Sequence, residues 1–245
     1  MSHYSDIGFD IKDNKDIDNL IDMFFNSKEK LGVDVMVWEI ENNPNNLLGQ
    51  LKYGDLRFFI KGDLENGKID DFFVGHDNKN ITNVEVEIEE NPIKKNEKNY
   101  FPIFNFYKDD IPFWVACFNA DIFFFYDDNT SEVKLVSFAN HIMDVRDAKK
   151  INKELKMANE SYISYFNDDI TTGWLSGIIK DFALLENPIT HNKYYAIDIV
   201  SMGLKIKLVV DPKLIENKEL KKGKVICGEF WNTGILVADN HPDYF

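Results

Sequence analysis

Leu204-Lys205-Ile206-Lys207-Leu208-Val209-Val210 is the stretch that decides the fold. Leu204, Ile206 and Leu208 alternate with two lysines, the period of a strand with one face in a core and one in water. Met202-Gly203 is a tight connection back to a second strand over 194–200, and Asn187-Pro188-Ile189-Thr190-His191-Asn192 reads as a turn. A strand over 177–185 precedes that turn. Strands over 224–231 and 234–238, parted by a turn at Asn232-Thr233-Gly234, complete five. Five short strands with glycines where they bend fit a small barrel of the OB type.

Upstream the pattern is different. Ile17, Leu20, Ile21, Phe24 and Phe25 recur at helical spacing, which predicts a helix over 16–31. Asp13, Asp16 and Asp18 crowd its start, where the helix dipole favours carboxylates, and Gly32 offers a left-handed stop. A β-rich stretch follows, with strands over 33–41, 47–53, 56–61, 69–74 and 84–88 and a turn at 42–46. In the last of these strands Val84, Val86 and Ile88 alternate with Glu85, Glu87 and Glu89, which predicts one solvated face. A strand over 133–138 and a helical segment over 139–159 lead to a connection at 167–172. The expected architecture is α+β and mainly β: a helix-plus-antiparallel-sheet section over 1–165, then an OB-like β-barrel section over 166–245, with a shared core left open.

The chain carries 42 acidic and 28 basic residues in 245, a net charge of −14. Residues 166–245 hold 11 acidic and 9 basic residues, a net of −2, so −12 falls on 1–165. Such a surface repels phosphate backbones and anionic membranes, which excludes nucleic acid and membrane as expected partners. It suits a basic protein partner. Cys117 and Cys227 are too far apart in sequence for a C-x-x-C motif, and a disulfide framework is excluded. Both are expected buried and free. No signal-peptide pattern opens the sequence, and no apolar run approaches the ~20 residues that cross a bilayer. The expected location is the cytoplasm.

Two end motifs are distinctive. Ser2-His3-Tyr4-Ser5-Asp6-Ile7-Gly8-Phe9 and Gly228-Glu229-Phe230-Trp231-Asn232-Thr233-Gly234 resemble the ends of an uncharacterised family of bacterial cytoplasmic proteins of similar length. Phe101-Pro102-Ile103-Phe104 and Gly177-Ile178-Ile179 fall between them in comparable order. The resemblance implies a fold and no chemistry. Asn232 and Thr233 stand where the family pattern has a Leu-Ser-like pair.

Familiar chemistry is not written in the chain. His3, His76, His141, His191 and His241 form no H-E-x-x-H and no i, i+4 pair. His141 precedes Asp144 and Asp147 at helical spacing, a pattern more usual for a surface histidine than for a ligand. The stretch 127–138 matches the first, third and fifth positions of a calcium loop with Asp127, Asn129 and Ser131. It fails at the sixth and twelfth, which are Glu132 and Phe138. The doublets Asp70-Asp71, Asp109-Asp110, Asp127-Asp128 and Asp168-Asp169 read as solvated turns. No phosphate-binding glycine loop and no nucleophile elbow occurs. No catalytic residue, metal ligand set or cofactor is therefore assigned. The binding candidates are Trp174, Phe230 and Trp231, aromatic residues that either stack on a ligand or plug the barrel.

The leading expectation is a protein–protein interaction module, inhibitor- or immunity-like, with an acidic surface for a basic partner. The alternative is an enzyme or small-ligand binder with an aromatic-lined pocket in residues 100–126. That stretch holds Phe101, Phe104, Phe106, Phe113, Trp114, Phe118, Phe123, Phe124 and Phe125.

Overall fold

Two long antiparallel strands form a central ribbon: β8 (Thr130–Ile142) and β13 (Val225–Val237), paired from Glu132–Val237 to Ile142–Gly228. The computed structural model describes residues 3–26, 36–40, 43–63, 68–87, 103–108, 111–118, 130–143, 162–166, 169–216 and 218–237. Its other described strands are β1 (Met36–Ile40), β2 (Asn43–Tyr53), β3 (Leu56–Asp63), β4 (Lys68–His76), β5 (Thr82–Glu87), β6 (Ile103–Lys108), β7 (Ile111–Cys117), β9 (Tyr162–Phe166), β10 (Asp169–Glu186), β11 (Lys193–Ser201) and β12 (Leu204–Val210).

A closed five-stranded barrel forms around one end of the β8–β13 ribbon. The meander β10–β11–β12 leaves β13 and returns to β8, and β12–β8 is the parallel pair that closes it. A three-strand meander closed by one parallel pair fits the expected OB-like barrel. One strand, however, comes from outside 166–245. Within that range lie four barrel strands, because Asn232-Thr233-Gly234 continues β13 instead of turning. The fifth is β8, which precedes the meander in the chain. Period-two alternation cannot distinguish two short strands from one long, bent strand. At the other end of the ribbon β5, β6 and β7 bridge from β8 back to β13. One core runs through both ends. It includes Val84, Phe106, Phe113, Val115, Leu135, Ile197, Leu208 and Phe230.

The ribbon needs close approach at Gly228. A Cβ there would sit 2.0 Å from the backbone oxygen of His141. His141 itself lies on β8, exposed, not on a helix. The helix expected over 139–159 is strand as far as Ile142, and 144–161 lie outside the described residues.

The second sheet is the antiparallel meander β1–β2–β3–β4. The turn expected at 42–46 is replaced from Asn43 onward by β2. Its central strand β3 is buried on both faces, which hydrophobic runs permit and strict alternation does not. Phe58 meets Phe9 and Phe72 on one face, and Phe59 meets Phe118 on the other. The first face lies beneath helix α1 (Asn14–Phe25), whose buried Leu20, Met23 and Phe24 join the same core. The second lies on the outer wall of the barrel, on Val136, Phe138, Trp231 and Ile235.

Helix α1 starts where carboxylates place it. The Asp13 side chain accepts from the amides of Lys15 and Asp16, at 2.9 and 3.2 Å. It stops at Asn26, short of Gly32, with the Asn26 side-chain amide donating to the Asp22 carbonyl. Residues 27–35 lie outside the described residues.

The opening motif is a latch. His3–Ile7 form a 3-10 turn, and Gly8 follows at φ 82°. A side chain at Gly8 would press on Asn187 and Asn192, in the β10–β11 turn. Asn187 donates to the Ile7 carbonyl at 2.6 Å, and Thr190 and Asn192 donate to that of Gly8 at 2.7 and 3.0 Å. Beneath the latch Asp6 is 3% exposed and accepts from the Asp211 amide at 3.4 Å. Burial pushes its carboxyl from the ordinary 3.8 up to about 8.

The raised value sets a sign. The native state holds a proton on Asp6 that the unfolded chain has released, so this stabilisation is full below pH ~4 and lost as pH rises through about 8. Asp6→Asn keeps an acceptor and removes the charge. We expect the stability of the variant relative to wild type to rise steadily from about pH 4 to about pH 8 and to level off above that, measured as Tm across the range.

Candidate functional site

The three aromatic candidates do not meet on one surface. Phe230 is fully buried inside the barrel. Trp231 points to the opposite face of β13, against sheet β1–β4. Its ring lies 5.3 Å from Phe73, 5.9 Å from Phe138 and 6.0 Å from Phe118, and its indole N–H donates to the Thr171 hydroxyl at 3.0 Å. Trp174 is half-buried on β10 opposite Glu229. Within 100–126, Phe106, Phe113 and Phe118 are core residues, and Phe118 stacks on Phe73 at 3.8 Å. Phe101, Phe123, Phe124 and Phe125 lie outside the described residues. Both cysteines are buried and free, and burial raises the Cys117 thiol.

The polar groups that do converge lie at one corner of the sheet–barrel interface, where the β2–β3 hairpin and the end of β4 meet β8, β11 and β12. Pairing Lys52 with Arg57 and Leu56 with His76 puts the ends of three strands there. The run Gly75-His76-Asp77-Asn78-Lys79-Asn80 then leaves sheet β1–β4 and crosses to the barrel. Asn78 donates to the Leu135 carbonyl at 2.7 Å and Asn80 donates to Asp198 at 3.2 Å. Lys207 pairs with the same Asp198 oxygen at 2.6 Å.

Asp77 is the centre. Its Oδ2 lies 3.0 Å from Arg57 Nη2 and 4.0 Å from Lys52 Nζ, and its Oδ1 lies 3.4 Å from Lys134 Nζ. Burial alone would raise this carboxyl. Arg57, then Lys134 and Lys52, overcome that and hold it below the ordinary carboxylate value. Burial also lowers Lys134, against the pull of Asp77, and Arg57 pushes the same way. His76, 3% exposed, is kept neutral chiefly by burial. Its Nδ1 lies 2.6 Å from the Asp77 carbonyl, so Nδ1 carries the proton. Nε2 is then left to accept from the Tyr194 hydroxyl at 3.2 Å. Burial raises that phenol in turn.

This corner escaped the sequence. His76 was visible only as one of five scattered histidines, and Lys52, Arg57 and Lys134 sit in strands whose apolar neighbours dominate the pattern. The one available signal was an Arg inside the apolar run Leu56-Arg57-Phe58-Phe59-Ile60, a position where a cation needs a buried partner. Among the described residues no group of three or more His, Cys, Asp or Glu side chains is arranged to hold a metal ion, and no helix is long and apolar enough to cross a membrane. No family model matches the chain, nor does any curated protein or solved structure.

Removing the central carboxylate leaves buried Arg57 without its ion-pair partner at 3.0 Å and weakens the tie to Lys134. Asp77→Asn should cost about 3 kcal/mol or more, as breaking one side of a buried pair does. Because the Asp77 carboxyl is depressed, the wild-type advantage is full above pH ~4 and shrinks on further acidification. Urea unfolding of both proteins at pH 7 and pH 3 reads the difference and its decline.

Proposed function

We propose that the chain is a protein-binding module whose acidic outer surface receives a basic partner. The observation that carries this is helix α1. Its apolar side is buried against sheet β1–β4, while Asp13, Asp18 and Asp22 stand exposed on the outside, next to exposed Asp10. Between Asp10 and Asp22 five aspartates face two lysines, a net of −3. Asp18, Asp22 and Phe25 follow at helical spacing on one stripe, and Phe25 is 45% exposed. An apolar anchor beside carboxylates suits a Lys- or Arg-bearing surface. Charge would steer the encounter and the ring would supply contact area.

This reading keeps the inhibitor- or immunity-like role expected from the charge distribution. It places the chain in the cytoplasm of a bacterium, with the family its end motifs resemble. The alternative of an aromatic-lined pocket in residues 100–126 has less support, because Phe106, Phe113 and Phe118 of that stretch are buried core residues.

The test uses two immobilised baits, the wild-type chain and Asp18→Lys/Asp22→Lys, exposed to the same bacterial lysate at low and at high salt. Retention of a discrete basic protein by wild type, released by salt and absent from the reversed bait, is the expected result. Equal retention by both baits, or none by either, contradicts the proposal.

A further inference from the structure

The opening turn joins two sheets that share no strand. On one side Tyr4 donates to the Phe72 carbonyl of β4 at 3.2 Å, and Phe9 lies edge-on to Phe58 of β3. On the other, the Ile7 and Gly8 carbonyls accept from Asn187, Thr190 and Asn192, and Asp6 accepts from the Asp211 amide, just past β12. The segment is thus a strap from sheet β1–β4 to the barrel. Within it the Gly8 amide donates to the Ser5 carbonyl and the Phe9 amide to that of Tyr4, at 3.0 and 2.9 Å. A single short turn of this kind does not persist away from its neighbours.

Asp6 is the weak point of the strap. Its carboxyl is 3% exposed, and among the described residues it makes one hydrogen bond, the 3.4 Å contact with the Asp211 amide, and no ion pair. A carboxylate so placed would exchange its water for one long donor, and it takes up a proton instead. β4, β8, β11 and β12 pack against the turn. Their nearby charges are engaged with one another: Lys134 of β8 pairs with Asp77, Lys207 of β12 pairs with Asp198 of β11, and His76 of β4 meets Tyr194. Burial is the main force against ionisation of Asp6. The Asp211 amide offsets part of it, the Asp211 carboxylate adds to it, and the amino terminus acts against it. The Asp211 carboxylate is fixed in turn, because it accepts from the Lys213 amide at 2.9 Å.

We propose that residues 3–9 are a pH-gated strap, closed while Asp6 is protonated and released as a unit, with the barrel still folded, when Asp6 ionises. Release carries buried Tyr4, Ile7 and Phe9 out of the core and returns the carboxylate to water. Asp6 is an ordinary carboxyl in the open state and titrates at about 8 in the closed one. Opening therefore becomes easier by up to about tenfold per pH unit from pH ~4 to about pH 8, and no easier beyond. Acid tightens the strap, and neutral pH loosens it. This device lies apart from the acidic face of α1 and does not depend on the protein-binding reading.

The experiment is amide hydrogen exchange of the full chain, read by NMR at pH 5, 6 and 7, with every rate corrected for base-catalysed chemical exchange. The Gly8 and Phe9 amides are the reporters, and each pH is repeated in urea below the unfolding transition. In wild type their protection should fall about tenfold per pH unit, lie well below that of β8 and β13, and be insensitive to urea, as a small opening is. In Asp6→Asn the protection should no longer change with pH. If Asp6→Asn leaves the strap undocked at every pH, the wild-type slope and its insensitivity to urea decide. The proposal is overturned if Gly8 and Phe9 share the protection and urea dependence of β8 and β13, if wild-type protection is the same at pH 5 and pH 7, or if Asp6→Asn keeps the wild-type slope.

Discussion

The β8–β13 pairing is the constraint on which everything else rests. A strand has two edges and two faces, and this ribbon uses them all. Its inner edges pair with each other. Its outer edges are divided along their length, β8 between β5 and β12, and β13 between β7 and β10. One face lines the common interior, with Leu135, Phe230 and Leu236. The other carries sheet β1–β4, through Val136, Phe138, Trp231 and Ile235. Gly228 permits the closest approach within it. No side chain larger than hydrogen fits there without parting the two backbones.

The second sheet depends on the ribbon for its burial. A four-stranded meander with helix α1 on one face would leave Phe59 and Phe73 in water on the other. Docked on the barrel, those rings meet Phe118, Phe138 and Trp231. Two polar features tie these parts to the barrel. At one corner Asp77 ties Arg57 and Lys52 of the sheet to Lys134 of β8. At the chain's start the Gly8 turn is held by Asn187, Thr190 and Asn192. Apolar contact supplies most of the driving force and is non-directional. These polar contacts select one orientation.

Much of this was legible in the residues. Leu204–Val210 announced its strand by alternation, and the helix announced its first turn by Asp13 and Asp16. What was hidden has physical causes. A long strand that changes partners looks like two strands, because its local pattern is reset where its environment changes. The interior of β13 at Asn232-Thr233-Gly234 therefore reads as a turn, although Asn232 accepts from Ser137 and Thr233 donates to the Val136 carbonyl across the ribbon. The contribution of β8 to the barrel joins residues far apart in the chain and leaves no local trace. The charge corner is assembled from the ends of β2, β3 and β4 and from Lys134 within β8, and its sequence signal is single cations among apolar neighbours. The aromatic candidates were detectable as residue types, but strand register sends Phe230 and Trp231 to opposite faces.

If the ribbon carries both ends of the barrel core and the second sheet, it should be the last element to open. Native-state hydrogen exchange tests this directly. The account predicts that the paired amides of β8 and β13 exchange only through global unfolding, along their whole length. Amides of β1–β4, β5–β7 and helix α1 should exchange through smaller openings that leave the ribbon intact. Faster exchange in β8–β13 than in sheet β1–β4 would contradict the account, because the second sheet would then stand without the element on which it is buried.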